Sequence, residues 1–436
     1  MGTICGIDFI RALNIIESIL KYFNTCDLEK LDAVNITKNS CYQNPIFYED
    51  PGIIIHLTIT GRCYARCVGC INSVITLGDD RERNTLITAQ ESQPHRDVEI
   101  IIQLASRYPD NTVTLCFYGG EPFLCPEKMV EIWKNIKKIE GKRFRFLVYT
   151  NGEMLSDNCR LYSEFMQNMW IYAISIDGRE EQHDRFRLGT SLAKIIKNLK
   201  DLNNSYKGHV LYWSTLRERQ SLWDCFEGFY ELYQQKLVNH LFWHWAESKV
   251  PLEDLSLYMN NYATDLRDIM NTYINELEQG RLLPIAHINE LVLYLITGKD
   301  RGHTACGVEV AKNYDIVSGK VFSCADLPSE LSLGELDCKG NLKLEERNLT
   351  ALIEYKTDLG CYQCGVHSYC GGRCPVQVIA GSKERTLQYC ILMRLHVGIV
   401  QEYIDEICKL LIKHRISLQD IYDQSAFLAK YTDVVP

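Results

Sequence analysis

The sequence predicts an α/β protein, a partial (β/α)6 TIM-like barrel followed by a smaller, cysteine-dense C-terminal region. Three observations carry that expectation. Apolar, β-branched runs alternate with helix-period segments six times between residues 52 and 277. The loop after the first run holds Cys63, Cys67 and Cys70 at C-x3-C-x2-C. Eight more cysteines, from Cys306 to Cys390, crowd a stretch where the alternation has stopped.

A chain of 436 residues suffices for a large enzyme core and one smaller module. The net charge of −9 leaves no basic field for nucleic acid or an anionic membrane surface. Nineteen cysteines would suit a secreted disulfide protein, but Asp8, Arg11, Glu17 and Lys21 interrupt the apolar N-terminal run. Its apolar residues Ile10, Leu13, Ile16 and Leu20 follow helical spacing instead of forming a signal peptide. No run of about 18 apolar residues occurs, so no membrane span is expected. A reduced, cytoplasmic setting with cysteine-bound metal is the expectation.

Taken in order, residues 1–50 predict a helical N-terminal extension in which Cys5, Cys26 and Cys41 are small apolar residues. Residues 51–298 predict the barrel. GIIIHLTIT (52–60) is a continuous β-branched run, the mark of a strand buried on both faces. A polar loop of more than thirty residues leads to a helix near 96–107. Further strands are expected at 112–120, 143–151, 170–177, 209–215 and 239–245. Their helices are expected near 128–139, 161–169, 193–202, 224–234 and 254–277. Parallel strands need such crossovers, and six right-handed units close only part of a barrel, with reacting groups at the C-terminal strand ends. Residues 299–400 predict the cysteine-dense module, poor enough in apolar pattern to fold around its metal. Residues 401–436 complete an amphipathic helix over 392–414 and a shorter one near 418–430.

Three thiolates on one short loop suit an iron–sulfur cluster better than structural zinc, which takes four protein ligands. Such a [4Fe–4S] cluster keeps one iron open to a small molecule. Gly119-Gly120-Glu121-Pro122 lies at the end of the second strand, Thr150-Asn151 at the third and Ser175-Ile176-Asp177-Gly178 at the fourth. His183-Asp184-Arg185-Phe186-Arg187 follows. With these motifs the chain resembles the radical SAM superfamily, and the cysteine spacing after residue 298 resembles its SPASM-domain branch. The likeness covers about residues 50–400.

The resemblance implies that S-adenosyl-L-methionine binds the open iron, with Gly119, Gly120, Glu121 and Pro122 beside its amino group. It implies that Ser175 and Arg187 hold the carboxylate, with Thr150 and Asn151 near the ribose. Relatives often place an aromatic residue before the third cysteine; here Gly69 stands there. The SPASM pattern assigns Cys361, Cys364, Cys370 and Cys390 to one auxiliary cluster and Cys306, Cys324 and Cys374 to another. Either Cys338 completes the second set or its iron is open, and about twelve irons are expected for three clusters. A four-cysteine zinc site is the competing reading of these cysteines, though zinc leaves the upstream motifs unexplained.

Asp326, two residues after Cys324, is either a proton acceptor or a surface-loop residue. On the sixth strand, either His240/Phe242/His244 or Leu241/Trp243/Trp245 faces the interior. By resemblance the chain is an enzyme that uses a 5′-deoxyadenosyl radical to modify a ribosomally made peptide by cross-linking, epimerisation or side-chain oxidation. The alternatives are a maturase for a sulfatase-type residue or a cofactor precursor, and a non-catalytic iron–sulfur protein. Expected partners are the peptide, a separate leader-binding protein and an electron donor of flavodoxin or ferredoxin type.

Overall fold

The computed structural model describes residues 52–70, 91–108, 112–248, 250–310, 313–327, 331–380 and 382–432. The helices expected within 1–50, with Cys5, Cys26 and Cys41, lie outside the described residues.

Six parallel strands form the barrel wall: β1 (Ile53–Thr60), β3 (Thr112–Gly119), β4 (Arg143–Thr150), β5 (Ile171–Ser175), β7 (His209–Leu216) and β8 (His240–Trp245). Two-residue strands β2 (Arg66–Cys67) and β6 (Arg187–Leu188) pair separately with each other. All eight residues of β1 are buried, as its unbroken β-branched run requires. Each crossover is helical, and the helix starts are readable chemically. Pro94 and Pro126 open theirs, where a missing N–H costs nothing. Ser221, Asp254 and Ser382 cap theirs by accepting from the backbone N–H groups of Asp224, Leu257 and Arg385.

The helices depart from the sequence reading in four places. The expected helix near 161–169 is two short ones, Leu155–Leu161 and Ser163–Gln167. A helix absent from the sequence reading spans Ala286–Thr297. The long C-terminal helix begins earlier, at Lys383, and breaks at Tyr403, whose N–H turns back to the Val400 carbonyl before Ile404–His414 resumes. The last expected helix shortens to Leu418–Gln424, followed by a 3-10 turn over Ala426–Tyr431.

The sheet does not stop at residue 298. β9 (Asn313–Val317) adds parallel to the free edge of β1, pairing His56 with Asp315. β10 (Lys320–Phe322), β11 (Gly334–Leu336) and β12 (Leu342–Leu344) continue antiparallel, giving ten strands in one sheet. Residues Phe47–Pro436 accordingly form one compact unit.

Inside the barrel, Cys116, Leu147, Leu211 and Phe242 meet Leu428 and Tyr431 of the C-terminal 3-10 turn. The Tyr149 hydroxyl donates to the Tyr431 carbonyl at 2.7 Å. The Ala426–Tyr431 turn therefore fills the interior, and a cavity lies toward the C-terminal ends of the strands. Among the described residues, no helix is long and apolar enough to cross a membrane.

Candidate active site

The three-cysteine loop is fastened to several strand ends. Its start lies under the β3 turn, where the Gly120 and Glu121 N–H groups donate to the Thr60 and Arg62 carbonyls at 2.7 and 2.9 Å. A Cβ on Gly120 would come within 2.1 Å of the Arg62 oxygen. Glycine is thus required for the two loops to touch, a tighter reason than approach to a methionine amino group. Tyr64 donates to Asn151 Oδ1 at 2.7 Å, tying the loop to β4. Cys67 pairs with Arg187 across β2 and β6, and the Val68 N–H reaches the Phe186 carbonyl at 2.9 Å. Gly69, at φ +57°, supplies a left-handed turn before Cys70, and Arg217 lies beside it. An aromatic residue there would be strained.

Behind the loop lies a buried polar centre. Asp177, wholly buried, accepts from Arg187 Nε and Nη2 at 2.8 and 3.0 Å, Arg217 Nη1 at 2.7 Å and the Thr215 N–H at 2.9 Å. Burial would push its carboxyl up, but the two guanidiniums overcome this and hold it well below the usual carboxylate range. His183 Nδ1 accepts from the Asp177 N–H at 3.2 Å, and Thr190 Oγ1 donates to the Arg187 carbonyl. His183 Nε2 therefore carries the proton that Thr190 accepts at 3.1 Å. Burial lowers this imidazole to about 4, so it is neutral. The His-Asp-x-Phe-Arg motif thus locks Arg187 in place.

A cavity of about 240 Å3 opens in front of this centre. Cys63, Cys67 and Cys70 line one part of it; Cys306, Cys324 and Cys374 line another, with Asp326. Burial, followed by nearby carboxylates and the companion thiols, pushes Cys324 and Cys374 well above the usual thiol range. Cys361, Cys364, Cys370 and Cys390 make a second group outside the cavity. Burial and mutual repulsion raise Cys361 to about 11 and Cys390 to about 12. Among the described residues no three His, Cys, Asp or Glu side chains close on a single metal ion. The thiols are grouped but spread, and their donor chemistry suits iron–sulfur clusters.

Of the residues expected to meet S-adenosylmethionine, Gly119, Gly120, Thr150, Asn151, Ser175 and Arg187 line the cavity. Asn151 Nδ2 is buried there without a partner, a donor left for a ligand. Glu121 and Pro122 do not line it. The Glu121 carboxylate accepts from the Phe123 N–H, Thr150 Oγ1 and the Asn151 N–H, bracing β3 against β4. Pro122 is buried at the start of a 3-10 turn. The fork of Arg187 is turned onto Asp177, so it orders the site before it meets a carboxylate. Cys338 is exposed in the turn between β11 and β12 and is not brought to either cysteine group.

On β8 the His240/Phe242/His244 face points inward, but only His244 reaches the cavity. Several cavity residues were missed. Arg217 and Glu247 stand one and two residues beyond strands β7 and β8, the position where a barrel carries its chemistry. That position was legible, though neither residue belongs to a motif. Thr432 also lines the cavity, from the far end of the chain, and no sequence signal announces it.

Residues 57–215 match the Radical SAM superfamily. The chain is 23% identical over 297 residues to a cysteine-type anaerobic sulfatase-maturating enzyme of Clostridium novyi, covering 64% of this chain and 77% of that one. It is 29% identical over 113 residues to a serine-type anaerobic sulfatase-maturating enzyme of Bacteroides thetaiotaomicron, covering 24% and 25%. The solved structure of native anSMEcpe with AdoMet bound superposes with a TM-score of 0.58 at 15% identity, covering 85% of this chain and 99% of that one. The partial barrel is therefore a fold shared with that protein.

Proposed function

From the premise that residues 57–215 are a radical SAM domain, and the chain an S-adenosylmethionine-dependent enzyme, we propose that it matures a sulfatase-type cysteine or serine side chain. The observation that carries this is the cavity walled jointly by Cys63, Cys67 and Cys70 and by Cys306, Cys324, Cys374 and Asp326. The relatives matched by sequence bear sulfatase-maturating names, and the Clostridium novyi match covers 77% of its partner. That favours side-chain oxidation over the expected peptide cross-linking. A separate leader-binding protein belongs to the cross-linking reading and is not part of this proposal; a flavodoxin- or ferredoxin-type electron donor is.

Cys63, Cys67 and Cys70 would hold the cluster that binds S-adenosylmethionine. Cys306, Cys324 and Cys374 would hold one auxiliary cluster, and Cys361, Cys364, Cys370 and Cys390 the other. When bound, the first cluster and its cofactor supply a hydrogen-abstracting radical. The chain's own work is placement. Arg187 and Arg217, fixed by Asp177, hold the loop and the adjoining cavity wall still. Asn151 would offer its Nδ2 to the cofactor, and Asp326, on the cavity wall, would take up a proton leaving the substrate. The β-sheet and the Ala426–Tyr431 turn keep water from entering through the barrel.

The test is mass spectrometry on a synthetic peptide spanning a sulfatase active-site cysteine, and on its serine analogue, after incubation with reduced, iron-loaded protein and S-adenosylmethionine. Oxidation confined to that residue is expected. A cross-linked or unchanged peptide, with S-adenosylmethionine consumed, would overturn the assignment.

A further inference from the structure

Glu247 is a buried carboxylate on the cavity wall with one oxygen unused. The chain around it is clamped. The Ala246 N–H donates to the Leu216 carbonyl at 2.9 Å, Arg385 Nη2 donates to the Ala246 carbonyl at 3.3 Å, and Gln377 Nε2 donates to the Ser248 carbonyl at 2.8 Å. Glu247 is only 3% exposed. Its Oε1 accepts from Arg373 Nη2 at 3.1 Å, while Oε2 is buried and has no partner among the described residues.

A buried carboxylate left half satisfied is costly, and a segment this firmly held does not carry one by accident of packing. An orphan acceptor on a cavity wall is matched by a donor on the ligand. The charge around it selects the kind of donor. Burial pushes the Glu247 carboxyl up, and Arg373, paired with it, and then Arg385 pull it back down without cancelling that rise. With two guanidiniums already about one carboxylate, a third cation gains nothing, and a neutral N–H is the complementary group. Its partner Arg373 directly precedes Cys374, which puts Glu247 on the auxiliary-cysteine side of the cavity.

We infer that Glu247 is a substrate-binding residue whose free carboxylate oxygen accepts a backbone N–H of the bound peptide. This rests on the reading of the substrate as a peptide and adds the group that orients it. A glutamine would keep the shape, but Arg373 would claim its carbonyl oxygen and its amide would face the peptide N–H donor to donor.

The experiment is an anaerobic calorimetric double-mutant cycle on the full, iron-loaded chain. The probe is the synthetic cysteine peptide, with each backbone N–H near the target residue replaced in turn by N-methyl. In the wild type, one N-methyl position should weaken binding about tenfold or more, as loss of a hydrogen bond to a charged group does. In Glu247→Gln that same position should cost little, because the partner is already gone. Equal losses in both proteins at every position overturn the inference and leave the peptide reading intact. No binding of the unmodified peptide to wild type overturns the peptide reading itself. If Glu247→Gln fails to fold, a structure of the wild-type peptide complex decides. A peptide nitrogen at hydrogen-bond distance from the Glu247 carboxylate supports the inference, and its absence there overturns it.

Discussion

The barrel and the cysteine-rich region after it hold their shapes by different means. Barrel strands β1, β3, β4 and β7 run to eight residues, and their helices bury apolar stripes against them. Between residues 313 and 380 the described strands are three to five residues long and the α-helices four to six. That region buries apolar residues too, Ile316, Val321 and Tyr369 among them, but its buried ion pairs, Lys356 with Glu309 and Arg373 with Glu247 from the β8 end, set it apart. Buried ion pairs give little net stability, and short elements supply little apolar area. The comparison teaches that the barrel can stand on its own packing, whereas the later region depends on what its thiols bind.

Cys370→Ser tests that contrast most severely. It should remove about four irons per chain and open the cysteine-rich region to limited proteolysis, while barrel fragments stay protected. Equal protection of both regions would break the comparison. Within the barrel, the exception to apolar stability is the Asp177 centre. Asp177→Ala would leave Arg187 and Arg217 as buried, uncompensated charges, and should cost about 3–5 kcal/mol in urea unfolding.

Two buried histidines, His240 on β8 and His396 on the helix Lys383–Glu402, give a smaller, pH-dependent effect. Burial first, then the neighbouring His209, lowers His240 to about 3, and burial lowers His396 to about 3. Both are neutral when folded, but in the unfolded chain they titrate near 6.5. The unfolded state then binds more protons below that value. Stability should be full above about pH 6.5 and fall as pH drops toward 3, by up to about 1.4 kcal/mol per pH unit for each histidine. Urea midpoints between pH 7 and 5 measure it, and His396→Gln should flatten the slope. Smallest is Gly69→Ala, about 1–2 kcal/mol for the left-handed backbone alone, because among the described residues Arg217 alone stands near the added methyl.

The same contrast explains what was legible. A strand buried on both faces is written into its own residues, so GIIIHLTIT could be read directly. The helix Ala286–Thr297 could not, because eight of its twelve residues are buried and no amphipathic stripe remains. The joining of β9 to β1 spans some 250 residues of sequence, and no local pattern encodes a partner. In the cysteine-rich region spacing alone spoke. It named both thiol groups, but it left Cys338 undecided, and only its exposure in a hairpin turn sets it apart. Arg187 and Asp177 were each legible as motif residues, at the end of the His183–Arg187 and within the Ser175–Gly178 stretches, but not as partners. Their pairing depends on where two strand ends meet.

The central claim is that the loop of Cys63, Cys67 and Cys70 starts the chemistry of the cavity. Formation of 5′-deoxyadenosine by reduced, iron-loaded wild type and by Cys63→Ala tests it most directly. The wild type should produce it and the variant should not, with the variant keeping the irons held by the later cysteines. A wild type carrying its full iron and sulfide that yields no 5′-deoxyadenosine would contradict the account.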